Sequence, residues 1–229
     1  MFDIHLPHKS IHGIQEFFLH LFTITVGLLI AVQIESFVEW RHHVHLAEEA
    51  RAALRTEIEQ NLKDLKGAQS GLKAWRSSNE ADLAAMRRIQ EHPDDSDAQH
   101  TNLTVNASGI SLEDTAWRTA QSTGALAYMP YEEAERYSHI YQAQATLLAM
   151  EDKPLEDAAQ ILGLIEKLNF HSNRSHKITA AEAGELAEKF GRMRLHLANG
   201  DTLLQMSIEH SKAFLENRKA RENFQETLP

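Results

Sequence analysis

The sequence predicts an all-α protein: an N-terminal transmembrane helix continuous with a long stalk helix, followed by an antiparallel helical bundle. Three observations carry this. An uncharged run of eighteen residues, Phe17 to Ile34, is bounded by Glu16 and Glu35. No proline occurs between Pro7 and Pro93, and helix-forming residues dominate Leu46 to Glu91. Alternation at period two, the mark of a half-buried strand, is confined to Leu103–Val105. The expected organisation is an N-terminal segment (1–13), a membrane helix (14–40), a stalk and bundle helix (41–92), a loop (93–110) and the remaining bundle helices (111–229).

At about 1.5 Å per residue, the uncharged run spans about 27 Å as a helix, close to the hydrocarbon thickness of a bilayer. Two other readings compete. A cleaved signal peptide needs a basic start and a small-residue cleavage site. Here only Lys9 stands against Asp3 and Glu16, and no such site follows Ile34. A buried core helix fits the modest length, and His20 dilutes the run. The flanks favour the membrane: Phe17 and Phe18 stand at one end, Phe37 and Trp40 at the other, where interfacial aromatics belong. Arg41 follows and can reach headgroups.

Thr23, Gly27, Ala31 and Glu35 recur every four residues and share one helix face. Small residues at this spacing let two backbones approach, so the face is the candidate packing surface for a second copy or another membrane protein. Glu35 lies at the membrane edge, where its carboxylate reaches water.

The stalk carries Leu54, Ile58, Leu62, Leu65, Leu72 and Trp75, then Leu83, Met86 and Ile89, in steps of three and four. Gly67 and Gly71 are points where it could bend, and His92-Pro93 ends it. The polar stretch from Pro93 to Gly109 reads as a loop. Its Asp94, Asp95 and Asp97 lack the glycine turn and distal glutamate of a calcium loop. Ser111 with Asp114 suggests the cap of a helix over Leu112–Ala127, broken at Met129-Pro130. Pro130, Glu132 and Glu133 suit the first turn of a third helix to about Met150. Pro154 is read as opening a fourth, with Leu155, Ile161, Ile165 and Leu168 on its apolar face. Asn169–Lys177 is a second linker, and Thr179 with Glu182 forms a capping box. The final helix carries Leu186, Phe190, Met193, Leu197, Leu204 and Ile208 in heptad-like, coiled-coil steps, in phase across Asn199-Gly200-Asp201.

Composition narrows function more than it names one. Of 229 residues, 42% are hydrophobic and 24% charged, as in a folded domain. Net charge is −10, with −3 in the first forty residues and −7 beyond. An acidic domain without a basic stripe is a poor nucleic-acid binder. With no cysteine, disulfides, thiolate metal sites and a cysteine nucleophile are excluded.

Histidine, with 14 copies, is the one enriched functional residue. His8, His12, Glu16 and His20 are four apart, a metal-ligand spacing on a helix. No HExxH accompanies them, and Pro7 and Gly13 disturb the helix, so an interfacial histidine-rich stretch is the simpler reading. Glu35, Glu39 and His43, with His42 and His45, read the same way, with a pH-sensitive juxtamembrane patch as a further option. Trp117, Arg118, Tyr137 and Tyr141 are candidates to line a pocket, with Arg118 gripping a carboxylate; core packing is the simpler role of the aromatics. No phosphate loop, nucleophile elbow or dinucleotide fingerprint occurs. The sequence therefore predicts no catalytic residues, no cofactor and no metal.

Two blocks carry a family likeness. The first contains GLLIAVQIE (Gly27–Glu35) and VEWRHH (Val38–His43). The second is Trp117-Arg118-Thr119-Ala120 with Gly124, Tyr137 and Tyr141. Together they resemble a group of bacterial single-span membrane proteins with a domain of unknown function. The group has no established activity, so the likeness implies architecture and inner-membrane location but no site residues. It also implies a helical domain outside the cytoplasm. Local charge points the other way, with Lys9 before the span and Arg41, Arg51 and Arg55 after it, and this chain has a less basic N-terminus than many of the group. The expected location is the inner membrane with a periplasmic domain. The expected role is a non-enzymatic interaction protein or scaffold, oligomeric or bound to another membrane protein. The alternative is a small-ligand or pH sensor that signals through a partner.

Overall fold

A computed structural model describes residues 13–106, 109–168 and 177–218. Every regular element among them is helical. The chain divides into two compact units, Met1–Glu49 and Ala50–Pro229. Helix α1 (Ile14–Glu91) contributes to both. It passes Gly67 and Gly71 without interruption and stops before Pro93, whose ring disfavours helical geometry in the residue before it.

Within the first unit α1 is long and apolar enough to cross a membrane, and none of its most apolar window is buried. Phe17, Phe22, Leu28, Ile30, Ile34 and Phe37 are all exposed. The Thr23 and Thr25 hydroxyls donate to the carbonyls of Leu19 and Leu21, at 2.9 and 2.8 Å. These polar groups are thus satisfied by their own helix. Phe37 and Trp40 pack with ring centroids 6.0 Å apart.

The second unit has its own core. One buried cluster joins Trp75, Leu83 and Met86 of α1 to Phe190, Met193 and Leu197 of α5 (Ala180–Leu215), with Ile161 and Ile165 of α4 (Tyr131–Lys167). Another holds Leu62 and Leu65 of α1 with Leu147, Leu204 and Ile208. Polar pairs tie the same helices. Arg51 forks onto Glu133 at 2.7 and 2.9 Å, Arg76 reaches Asp201 at 2.5 Å, and Asn79 donates to the Phe190 carbonyl at 3.2 Å. Arg136 bonds Asn217 at 3.1 Å, and Arg192 bonds Asp157 at 2.7 Å.

Several boundaries differ from the sequence reading. The stretch Pro93 to Gly109 holds a short helix, α2 (Ser96–Gln99), capped by the Asp95 carboxylate. Leu103–Val105 is not a strand; Leu103 is buried in the core and Thr104 donates its N–H to Asp82 Oδ2 at 3.1 Å. Helix α3 covers only Thr115–Ser122. Gly124 then takes a left-handed φ of 73°, and a 3-10 turn follows over Ala125–Tyr128. Ser111 is not the cap. Asp114 precedes α3, and its carboxylate makes no capping bond but pairs with Arg118 at 2.7 Å.

The largest correction is at Pro154, which opens no new helix: α4 runs straight through it. Proline in a helix interior costs about 3 kcal/mol because its nitrogen cannot donate to the carbonyl four residues back, here Met150. Pro154 is itself buried, and Leu147 before it and Ala158, Ile161 and Ile165 after it are all in the core. Continuous burial on both sides outweighs the local penalty. The Thr179–Glu182 capping box is present, and α5 continues across Asn199-Gly200-Asp201. Most of the second linker (169–176) lies outside the described residues.

Asp82 gives a test of this core. Burial pushes its carboxyl up from 3.8 to about 6, against the opposing effect of the Thr104 N–H bond. A carboxyl raised in the folded state favours folding below its unfolded pKa, and that contribution is lost as pH rises through about 6. The unfolding free energy from denaturant titration should therefore fall between about pH 4 and pH 7, by on the order of 2 kcal/mol from this group. Asp82→Asn, which keeps an acceptor for Thr104, should flatten that part of the profile.

Candidate functional site

A wide recess lies in the second unit, between α3 with its preceding residues and α4. It is a cleft of about 500 Å³, lined by Leu112, Trp117, Arg118, Tyr141, Gln144 and Leu148, among others.

Its construction starts from Glu57, a charged residue on the core face of α1 that is only 6% exposed. Its carboxylate accepts the backbone N–H groups of Ala116 and Trp117 at 2.7 and 3.3 Å. These belong to the first turn of α3, where N–H groups have no partner within the helix. A side chain from a distant helix thus supplies the cap that the local sequence lacks. The same carboxylate accepts the Tyr141 hydroxyl at 2.6 Å. Three donors on one buried carboxylate offset its desolvation. The Tyr141 phenol is pushed far up by burial, and further by its bond to Glu57.

Glu57 therefore fixes both aromatic rings of the cleft. Trp117 and Tyr141 stack with centroids 5.0 Å apart and planes 8° from parallel. One turn along α1, Asn61 repeats the device. Its Oδ1 accepts the Glu113 N–H at 2.9 Å, and its Nδ2 donates to the Glu113 carbonyl at 2.7 Å and to Gln144 Oε1 at 3.0 Å. Gln144 is 3% exposed, and its Nε2 has no partner among the described residues.

Of the predicted pocket residues, Trp117, Arg118 and Tyr141 line the cleft. Arg118 pairs with Asp114 of this same chain, one turn back, at 2.7 Å. Tyr137 is elsewhere: it packs on Phe214 at 4.8 Å, its phenol raised to about 12 chiefly by burial. Glu57, Asn61 and Gln144 were not anticipated. The signal was present for two of them, since positions 57 and 61 fall within the stripe of Leu54, Ile58, Leu62 and Leu65.

A second polar cluster sits between α4 and α5. Asp157, 2% exposed, bonds Arg192 at 2.7 Å and lies 2.6 Å from His196 Nδ1. His196 also borders a cavity of about 40 Å³ with Trp75, Glu151 and Pro154. That space has room for a water molecule or two. Burial raises the Glu151 carboxyl, which accepts the Ile110 N–H.

The histidine sets remain separate from these sites. His8 and His12 lie outside the described residues, while Glu16 and His20 are exposed on α1. Among the described residues no group of three or more His, Asp or Glu side chains could hold a metal ion. Thr23, Gly27, Ala31 and Glu35 are exposed on α1 at successive four-residue steps, and a Cβ added at Gly27 would meet nothing within 4 Å. No protein-family model, curated protein or solved structure matches the chain.

Removing the Glu57 acceptor should unbuild the cleft. Glu57→Ala leaves three donors without their carboxylate and should cost about 3 kcal/mol in denaturant titration. Loss of the stacked geometry should also red-shift the emission of Trp117, read in a variant whose other tryptophans are phenylalanine.

Proposed function

We infer that this chain is a single-pass membrane protein whose helical domain serves interaction or scaffolding rather than catalysis. The observation that carries the reading is the contrast within α1. Its apolar N-terminal window is wholly unburied, while residues 50–229 contain a core of their own. A core helix of this chain would have its apolar window covered. The aromatic pairs at both ends of that window and the self-satisfied threonine hydroxyls suit a lipid environment. The resemblance to inner-membrane single-span proteins supports the same location, with the domain in the periplasm.

The domain is read as an antiparallel bundle. In α4 and α5, ascending positions pair with descending ones: Arg136 with Asn217, then Asp157 with Arg192. In α1 and α5, Arg76 pairs with Asp201, and Gln90 lies beside Gly184. Pairs between α1 and α4 ascend together, from Arg51–Glu133 to Asn61–Gln144, so those two helices run the same way. The Thr23, Gly27, Ala31 and Glu35 face is the proposed contact for a second copy or a partner's span.

In membranes the chain should resist alkaline carbonate and be released only by detergent. C-terminal phosphatase fusions should be active and fluorescent-protein fusions dark. Gly27→Leu should lower the yield of crosslinked dimer in native membranes. Extraction by carbonate alone, or undiminished crosslinking, counts against the respective part of the reading.

A further inference from the structure

We propose that the cleft between α3 and α4 binds an uncharged, amide-bearing ring compound, of which an N-acetylated sugar is the simplest form. This goes beyond the anchoring role and does not depend on it.

The argument begins with an amide whose orientation is forced. The Glu113 N–H donates to Asn61 Oδ1, so Asn61 Nδ2 is the atom left to face Gln144. Gln144 must then turn Oε1 toward Asn61, which leaves Nε2 without an acceptor on a side chain that lines the cleft. A buried unpaired donor costs free energy until an acceptor arrives. The missing partner is therefore an oxygen.

Charge decides what kind of oxygen. Arg118 is already paired with Asp114, and Glu113 adds a further negative charge to the lining. A free anion finds no unneutralised cation. Glu113 could draw a cation to the rim, but a cation would meet a second donor at Nε2, and the buried Glu57 already accepts from three donors. A neutral carbonyl oxygen fits Nε2 without either conflict. Around it, Leu112, Ala145 and Leu148 offer apolar contact for a methyl group. The half-buried Trp117 ring, backed by Tyr141, offers a flat surface for a ring, and Gln121, Ser138 and Gln142 supply groups for hydroxyls. A cleft of about 500 Å³ is in the size range of small-molecule sites.

The test is isothermal titration of N-acetylglucosamine into the full chain, held in a detergent without a sugar headgroup. Glucose, which lacks the acetamido carbonyl, and benzoate, a flat anion, are the comparison probes. Saturable binding of N-acetylglucosamine, at least about tenfold tighter than glucose, is expected. Gln144→Leu should weaken it at least about tenfold. Ala145→Trp, which fills the cleft from an exposed helical position, should abolish it while leaving the helical melting curve in place. No saturable binding, tighter binding of benzoate, or full binding by Ala145→Trp overturns the proposal.

Discussion

Thr104, Glu113, Ala116 and Trp117 all turn backbone N–H groups toward α1, and each must find an acceptor there. An α-helix has no spare backbone acceptors along its middle, so the partners are side chains. Glu57, Asn61 and Asp82 supply them from an otherwise apolar face, and Asn79 does the converse by donating to a carbonyl of α5. The irregular segment and the core helix are thus held by a short series of buried polar contacts. The position of the α3 aromatics, and hence the cleft, depends on them.

The two buried carboxylates of that series show how the number of donors matters. Glu57 meets two N–H groups and a phenol, whereas Asp82 meets one N–H. The single bond at Asp82 does not offset its burial, and its carboxyl rises accordingly. Tyr141, the phenol on Glu57, is pushed far up by its own burial and further by that bond. Asp157, by contrast, meets the Arg192 guanidinium on one oxygen and the His196 ring on the other.

Much of the helical plan was legible because helix periodicity and proline spacing are local signals. The stripe from Leu54 to Ile89 reads directly as a core face, and the Thr179–Glu182 box marks the start of α5. What failed were features decided at long range. Pro154 looks like a boundary in sequence, but burial on both sides carries the helix through it. Ser111 looks like a cap, yet the acceptor comes from Glu57, far away in sequence. The aromatic half of the cleft was visible as Trp117, Arg118 and Tyr141, whereas Gln144 is one polar residue among many on α4 and gains meaning only from Asn61.

The polar contacts also set a length. Asp82 holds Thr104 and Glu57 holds Ala116, so the later residue in α1 takes the earlier residue of the segment. Along a helix, positions 57 and 82 are about 37 Å apart at 1.5 Å per residue. The twelve steps from Thr104 to Ala116 reach about 40–43 Å when fully extended. The helix therefore acts as a ruler for the chain that runs back along it. Deleting three residues between the two anchors would leave the strap too short to hold both, and a one-residue insertion in α1 between 57 and 82 would turn one anchor about 100° away from the other. Changes of length on either side therefore bear on both anchors at once.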